Sequence, residues 1–160
     1  MIRTANIQDI PAIRSIAERT WPSTYGSIIS QAQIDYMLDL MYSDASLNKQ
    51  MDSGHQFYIF DFEQAPIGFA SVSKEADGIF KLNKLYILPT IQKTGAGKAL
   101  LQQVKNYAKA NGGSQLILQV NKHNNAKAFY EYQGFRVQKE MVFELDHGYV
   151  MDDYIMEINL

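Results

Sequence analysis

The feature that most constrains this chain is the stretch Leu85-Tyr86-Ile87-Leu88-Pro89-Thr90-Ile91-Gln92-Lys93-Thr94-Gly95-Ala96-Gly97-Lys98. A strand runs up to Pro89, crosses a glycine-bearing turn and opens directly into a helix with Leu100, Leu101, Val104, Tyr107 and Ala108 at helical spacing. Gly95 and Gly97 let the backbone approach a ligand closely. The new helix points unpaired N–H groups and its positive dipole end at the same spot. From these residues alone the segment is either a phosphate cradle or a plain strand-to-helix turn. Two common phosphate loops are excluded. A nucleotide P-loop wants glycine where Gln92 stands, and Ser or Thr where Ala99 stands. A dinucleotide fingerprint starting at Gly95 wants glycine where Leu100 stands.

The periodicity on either side sets the fold class. Asp9 and Pro11 open a helix over about 9–20, with Ile10, Ile13, Ile16 and Ala17 on one face, and Trp21, Pro22 and Gly26 interrupt it. Ser30 and Gln33 have capping-box spacing ahead of the stripe Ile34, Met37, Leu38 and Met41. Residues 56–62 and 67–74 are rich in β-formers around a Glu63–Pro66 turn, and a third strand covers about 79–88. After the glycine-loop helix, which Gly112 and Gly113 stop, come a short strand at Leu116–Leu118 and a helix at Ala126–Tyr132. Two last strands, near 136–145 and 149–159, flank the turn Asp146-His147-Gly148, and a first strand at Ile2–Ala5 completes the set. The order αα-βββ-α-β-α-ββ predicts one α+β domain over residues 1–160. Its core is a mixed, mostly antiparallel sheet of about six or seven strands flanked by about four helices.

Composition narrows the function. Fifteen Lys and Arg against seventeen Asp and Glu leave a net charge of −2, which excludes a nucleic-acid binder driven by overall charge. There is no cysteine, so no thiolate nucleophile and no Cys-type zinc site exists. His55, His123 and His147 are scattered without carboxylate partners at ligand spacing, and no metal is expected. No apolar run approaches the ~20 residues of a spanning helix, and the N-terminus opens no signal-peptide pattern. A cytoplasmic protein with no membrane partner is the expectation.

A second segment joins the glycine loop: Val120-Asn121-Lys122-His123-Asn124-Asn125-Ala126-Lys127-Ala128-Phe129-Tyr130-Glu131-Tyr132-Gln133-Gly134-Phe135. Together the two resemble the GNAT superfamily of acyl-CoA-dependent N-acyltransferases. Gln92, Gly95 and Gly97 stand for its Gln/Arg-x-x-Gly-x-Gly/Ala signature, and the second segment for its Asn-Ala-Phe-Tyr-Glu…Gly-Phe block. The order and separation match, and the order of elements fits along the whole chain. The resemblance implies the acyl-CoA N-acyltransferase fold and acetyl-CoA as co-substrate. It implies that the backbone of Leu85, Tyr86 and Ile87 pairs with the pantetheine amides, and that amides from Lys93 through Thr94, Gly95, Ala96 and Gly97 to Lys98 hold the pyrophosphate, with Gln92 shaping the turn. Asn124 falls beside the cofactor arm. Lys127 is either a ligand of a CoA phosphate or a solvated helix lysine.

Tyr130 matches the tyrosine that protonates the CoA sulfur in many relatives, a role for which a phenol of pKa ~10 is suited at neutral pH; the alternative is a core aromatic beside Phe129. The general base is unassigned. Gln119 occupies the position where the ribosomal-protein branch has glutamate, and Glu75, Asp77, Asp152 and Asp153 read as solvated groups near turns and strands. Acceptor contacts are expected from Trp21, Tyr25 and Asp35, whose aromatic and acidic character suits a cationic amine. They could equally be core and solvated helix face. The implied activity is acetyl transfer to a primary amine of a small molecule, polyamines included. A peptide acetyltransferase and a non-catalytic acyl-CoA-binding module are the alternatives. The apolar C-terminal strands, with Val142, Phe143, Tyr149, Val150, Met151, Ile155 and Ile158 among others, are expected to make a homodimer interface.

Overall fold

Alternation in the strands and helical spacing between them produce a seven-stranded sheet with helices on both faces. The structure is a computed structural model and describes residues 1–91 and 94–160. The strands are β1 (Ile2–Thr4), β2 (Gln56–Phe62), β3 (Ala65–Ala76), β4 (Ile79–Ile87), β5 (Gln115–Asn121), β6 (Arg136–Glu144) and β7 (Val150–Asn159). Their spatial order is β1-β2-β3-β4-β5-β7-β6. All neighbours are antiparallel except β4 and β5. The helices are α1 (Ile10–Tyr25), α2 (Gln31–Tyr42), α3 (Asp44–Asp52), α4 (Ala96–Ala110) and α5 (Ala126–Tyr132).

Two apolar cores form, one on each face of the sheet. Ile13, Ile16 and Trp21 of α1, Ile34 and Met37 of α2 and Leu47 of α3 pack on Phe57, Ile59 and Phe69. Leu100, Leu101 and Val104 of α4 and Tyr130 of α5 pack on Val72, Leu82, Leu116 and Leu118. Three local expectations are corrected. Helix α1 continues through Pro22 to Tyr25, because Trp21 and Tyr25, four residues apart, bury their rings against each other at 4.5 Å between centroids. Asp9 does not cap α1 with its side chain; it accepts from the Asn6 N–H at 2.9 Å and pairs with Arg3. Helix α3 is a fifth helix, capped by Ser43 Oγ accepting from the Ser46 N–H at 3.2 Å. Only Leu47 of it is fully buried, which leaves too thin an apolar stripe to read.

The feature that positions the site is a split in the sheet. The ladder between β4 and β5 joins Ile79–Leu82 to Gln115–Leu118 and goes no further, while β5 stays paired with β7 through Asn121. At the same point β4 carries a bulge: Val72 opposes Leu82 and Ser71 opposes Lys84, so Asn83 is the extra residue. Phe80 and Leu82 face the α4 core, whereas Lys84 lies against Tyr42 of the α1–α3 core. The bulge therefore turns Lys84 to the opposite face from the one strict alternation assigns it.

Candidate active site

Where β4 and β5 part, a cavity of about 800 Å³ opens between them. Its walls are β4 from Leu82 to Ile87, β5 from Leu118 to Val120, the C-terminal end of α1, the start of α4, residues 123–126, and Phe129 and Tyr130. The start of α4 is shaped for an anion. Gly95 occupies the N-cap position at φ +83 and supplies no side-chain cap. The first helical bond runs from the Ala99 N–H to the Gly95 carbonyl at 3.0 Å, so the amides of Ala96, Gly97 and Lys98 precede the helical ladder and line the cavity. A Cβ built on Gly95 would meet nothing, so its glycine answers to backbone conformation; one on Gly97 would lie 3.6 Å from the Phe129 ring.

Among the residues expected in the site, Leu85, Tyr86, Ile87, Thr94, Gly95, Ala96, Gly97, Lys98, Asn124, Tyr130 and Tyr25 all line this cavity. Gln92 and Lys93 lie outside the described residues. Asn124 is held by its Oδ1 accepting from the Ala126 N–H at 2.9 Å. Lys127 borders a separate shallow depression with Lys122 and Glu131; it pairs with Glu131 at 3.1 Å and lies over the Tyr154 ring. Trp21 stands behind the wall, buried among Tyr25, Tyr42 and Tyr86. Asp35 is solvent-exposed on α2, where it accepts from Gln31 at 2.8 Å, and does not border the cavity. The 3.6-residue turn carries Ile34 and Met37 into the core and leaves Asp35 outward.

Tyr130 is buried between Phe129 and Phe135, with centroids at 5.4 and 5.6 Å, and still borders the cavity. Burial pushes its phenol far above the ordinary tyrosine value, so it holds its proton across the physiological range. Tyr25 and Tyr86 share a hydrogen bond at 3.1 Å, and burial raises both phenols as well.

Two charged groups in this region escape sequence reading. Asp153 is not solvated. It is buried on β7, where Gln119 Nε2 donates to Oδ2 at 3.4 Å, and burial raises its carboxyl. Gln119 in turn accepts from Lys81 Nζ at 2.6 Å and itself lines the cavity, so the carboxylate sits behind the amide. Glu75 is exposed, Asp77 pairs with Lys74, and Asp152 pairs with Lys122 at 3.0 Å. The second group is Lys84, 8% exposed and part of the cavity wall. Burial first, and Lys81 second, bring its ammonium down to about 8. Among the described residues no group of three or more His, Asp or Glu could hold a metal ion, and no helix is long and apolar enough to cross a membrane.

Comparison with known proteins agrees with this geometry. Residues 28–154 match the model of the acetyltransferase (GNAT) domain family. The N-acetyltransferase YhfO of Bacillus subtilis is 30% identical over 143 residues, spanning 84% of this chain and 88% of that protein. A spermidine N(1)-acetyltransferase of Thermoplasma acidophilum is 27% identical over 143 residues, spanning 86% and 88%. In structure, the PaiA N-acetyltransferase of Thermoplasma acidophilum, solved in complex with coenzyme A, superimposes with a TM-score of 0.84 at 26% identity, over 100% of this chain and 98% of that one. The uncapped start of α4, the split sheet and the match across most of its length together make this chain a member of the GNAT family of acetyltransferases.

Proposed function

We propose that the protein transfers the acetyl group of acetyl-CoA to a primary amine of a small molecule by direct attack, with Tyr130 as general acid. The observation that carries this reading is one cavity holding both an uncapped helix start and a buried, protonated phenol. The amides of Ala96, Gly97 and Lys98 suit the pyrophosphate. The β4 backbone beyond Leu82, released from β5, offers a strand edge to the pantetheine amides at Leu85–Ile87. An acetyl thioester laid along β4 then has its sulfur on the side of Tyr130.

Acetyl-CoA supplies an acyl carbon already activated toward amines. The lone pair of the neutral amine forms the new C–N bond, the C–S bond breaks, and Tyr130 gives its proton to the departing sulfur. No Asp or Glu lines the cavity among the described residues, and water, rather than the His123 imidazole that also borders it, takes the proton lost by the amine, with Tyr130 reprotonated from the same solvent. Water in this role fits the presence of Gln119 on β5, whose amide takes no proton at neutral pH.

A small acceptor is supported by the relation to the spermidine enzyme and by closure of the face above the sheet, where the β6–β7 turn packs on α2 through Tyr36, His147 and Tyr149. Residues 1–160 act as one domain, in the cytoplasm where acetyl-CoA is consumed. A homodimer through the open edge strand β6 remains part of the proposal. Its support is narrower than the apolar count of the C-terminal strands, because Met151, Ile155 and Met156 are buried within the chain and only Val137, Val142 and Val150 stand exposed there. The test of the activity is release of free CoA from acetyl-CoA across a panel of small amines and peptide N-termini. Turnover confined to peptides, or none with any acceptor, overturns the reading.

A further inference from the structure

We infer that the acceptor end of the cavity recognises an amine that also carries an oxyanion group, a carboxylate or a phosphate, which docks on Lys84. This inference rests on the acetyltransferase reading and narrows its acceptor, setting free polycations aside.

The first argument is charge. Among the described residues the cavity wall carries Lys84 and Lys98 and no carboxylate. Lys98 belongs to the start of α4, at the phosphate end. Lys84 belongs to the other end: it lies three residues before the end of β4 at Ile87, about 10 Å of extended chain at roughly 3.3 Å per residue, with the turn Pro89–Ile91 between that end and the start of α4. The pyrophosphate cradle and the Lys84 ammonium therefore serve different ligands.

The second argument is compensation. Lys84 is nine-tenths buried and makes no ion pair among the described residues. The face of Tyr42 lies 5.1 Å from its Nζ. No neighbouring group among the described residues pairs with it. Lys81 acts on it as a like charge, His55 is kept neutral at neutral pH by burial and then by Lys84 and Lys81, with exposed Glu75 acting on His55 in the opposite sense, and Asp153 stands behind Gln119 within the field of Lys81. A buried ammonium in this setting is stabilised by an incoming anion, and the Tyr42 ring fixes where that anion stands by covering one side of the ammonium. A polycationic acceptor meets the same group as a repulsion.

The third argument is the fold. The bulge at Asn83 is what turns Lys84 toward α1 and α2, and Asn83 is fixed there by donating to Ser73 Oγ at 2.9 Å. The strand register thus fixes the face on which the Lys84 side chain leaves the sheet.

The experiment compares matched acceptors on the wild-type protein: 4-aminobutanoate, its neutral amide, 3-aminopropylphosphonate and spermidine, each followed by CoA release under saturating acetyl-CoA. The expected result is kcat/KM at least about 10-fold higher for an anionic amine than for the amide, carried mainly by KM, with spermidine poorest. The carboxylate and phosphonate arms distinguish the two oxyanions. In Lys84→Met the preference for the anionic amine over the amide should collapse to near unity, and in Lys84→Arg it should persist. Preference of the wild type for the amide or for spermidine overturns the inference and leaves the acetyltransferase standing. So does a preference that survives Lys84→Met. Absence of turnover with every amine overturns the acetyltransferase reading, and this inference with it.

Discussion

Replacing Lys84 by methionine keeps the length of the side chain and removes its charge, and the structure sets the size and the pH dependence of the consequence. The folded ammonium is held at about 8 against an ordinary 10.5, chiefly by burial. Each tenfold change in proton affinity is worth about 1.4 kcal/mol, so the charged lysine costs the fold about 3 kcal/mol. The Tyr42 ring, 5.1 Å from Nζ, returns about 1–2 kcal/mol of that. Lys84→Met should therefore stabilise the protein by about 1–2 kcal/mol at pH 6.5. Below the folded value both folded and unfolded chains carry the proton and the cost is complete. Between about 8 and 10.5 the unfolded chain keeps its proton while the folded amine has lost it, so wild-type stability rises relative to the variant. Above 10.5 the cost is gone and the advantage of the variant vanishes with it. The assay is urea unfolding at pH 6.5, 8, 9 and 10, read by fluorescence of the single tryptophan, Trp21, which is buried. A variant less stable than wild type at pH 6.5, or a difference that does not change between pH 6.5 and 10, refutes the claim that Lys84 is a charged and uncompensated buried group.

Tyr130→Phe removes one oxygen from a ring already packed between Phe129 and Phe135; kcat should fall by about 10²-fold or more with CoA affinity little changed, and an undiminished chemical step would leave Tyr130 a packing residue. Gly95→Val forces a β-branched residue to φ +83 at the N-cap of α4, a conformation costing such a residue about 1–2 kcal/mol; calorimetry on the folded variant should show CoA binding at least about 10-fold weaker, and wild-type affinity would remove the pyrophosphate from this loop. The pH profile of kcat/KM for an anionic amine should rise with the ionisation of the acceptor amine and fall as Lys84, held at about 8, loses its proton; an additional limb that disappears in Asp153→Asn would assign the role of base to the carboxylate behind Gln119. Sedimentation at micromolar concentration should show a dimer, and a monomer alone would confine β6 to being an open edge.

What was legible in the sequence was whatever is written in consecutive residues. The strand, the glycine turn and the helix start lie within Leu85–Lys98, and the Asn124–Phe135 block carries its own turn and helix, so local conformation alone orients Gly95, Asn124 and Tyr130. The existence of all seven strands followed in the same way from alternation and turn residues. What escaped depends on partners distant in sequence. Gln33 has capping-box spacing with Ser30, and the Ser30 hydroxyl does accept from the Gln33 N–H, yet its side chain is buried and donates to the Val150 carbonyl at 2.8 Å. Asp153 is indistinguishable from its neighbour Asp152 in sequence, but one faces Gln119 across the β5–β7 ladder and the other faces Lys122. Lys84 is the sharpest case. Strict alternation puts it with Phe80 and Leu82 on the α4 face, and only the bulge at Asn83 in the pairing of β4 with β3 moves it to the other side. A side chain's face is fixed by strand register, register is a property of two strands together, and one extra residue in one of them reverses everything that follows it.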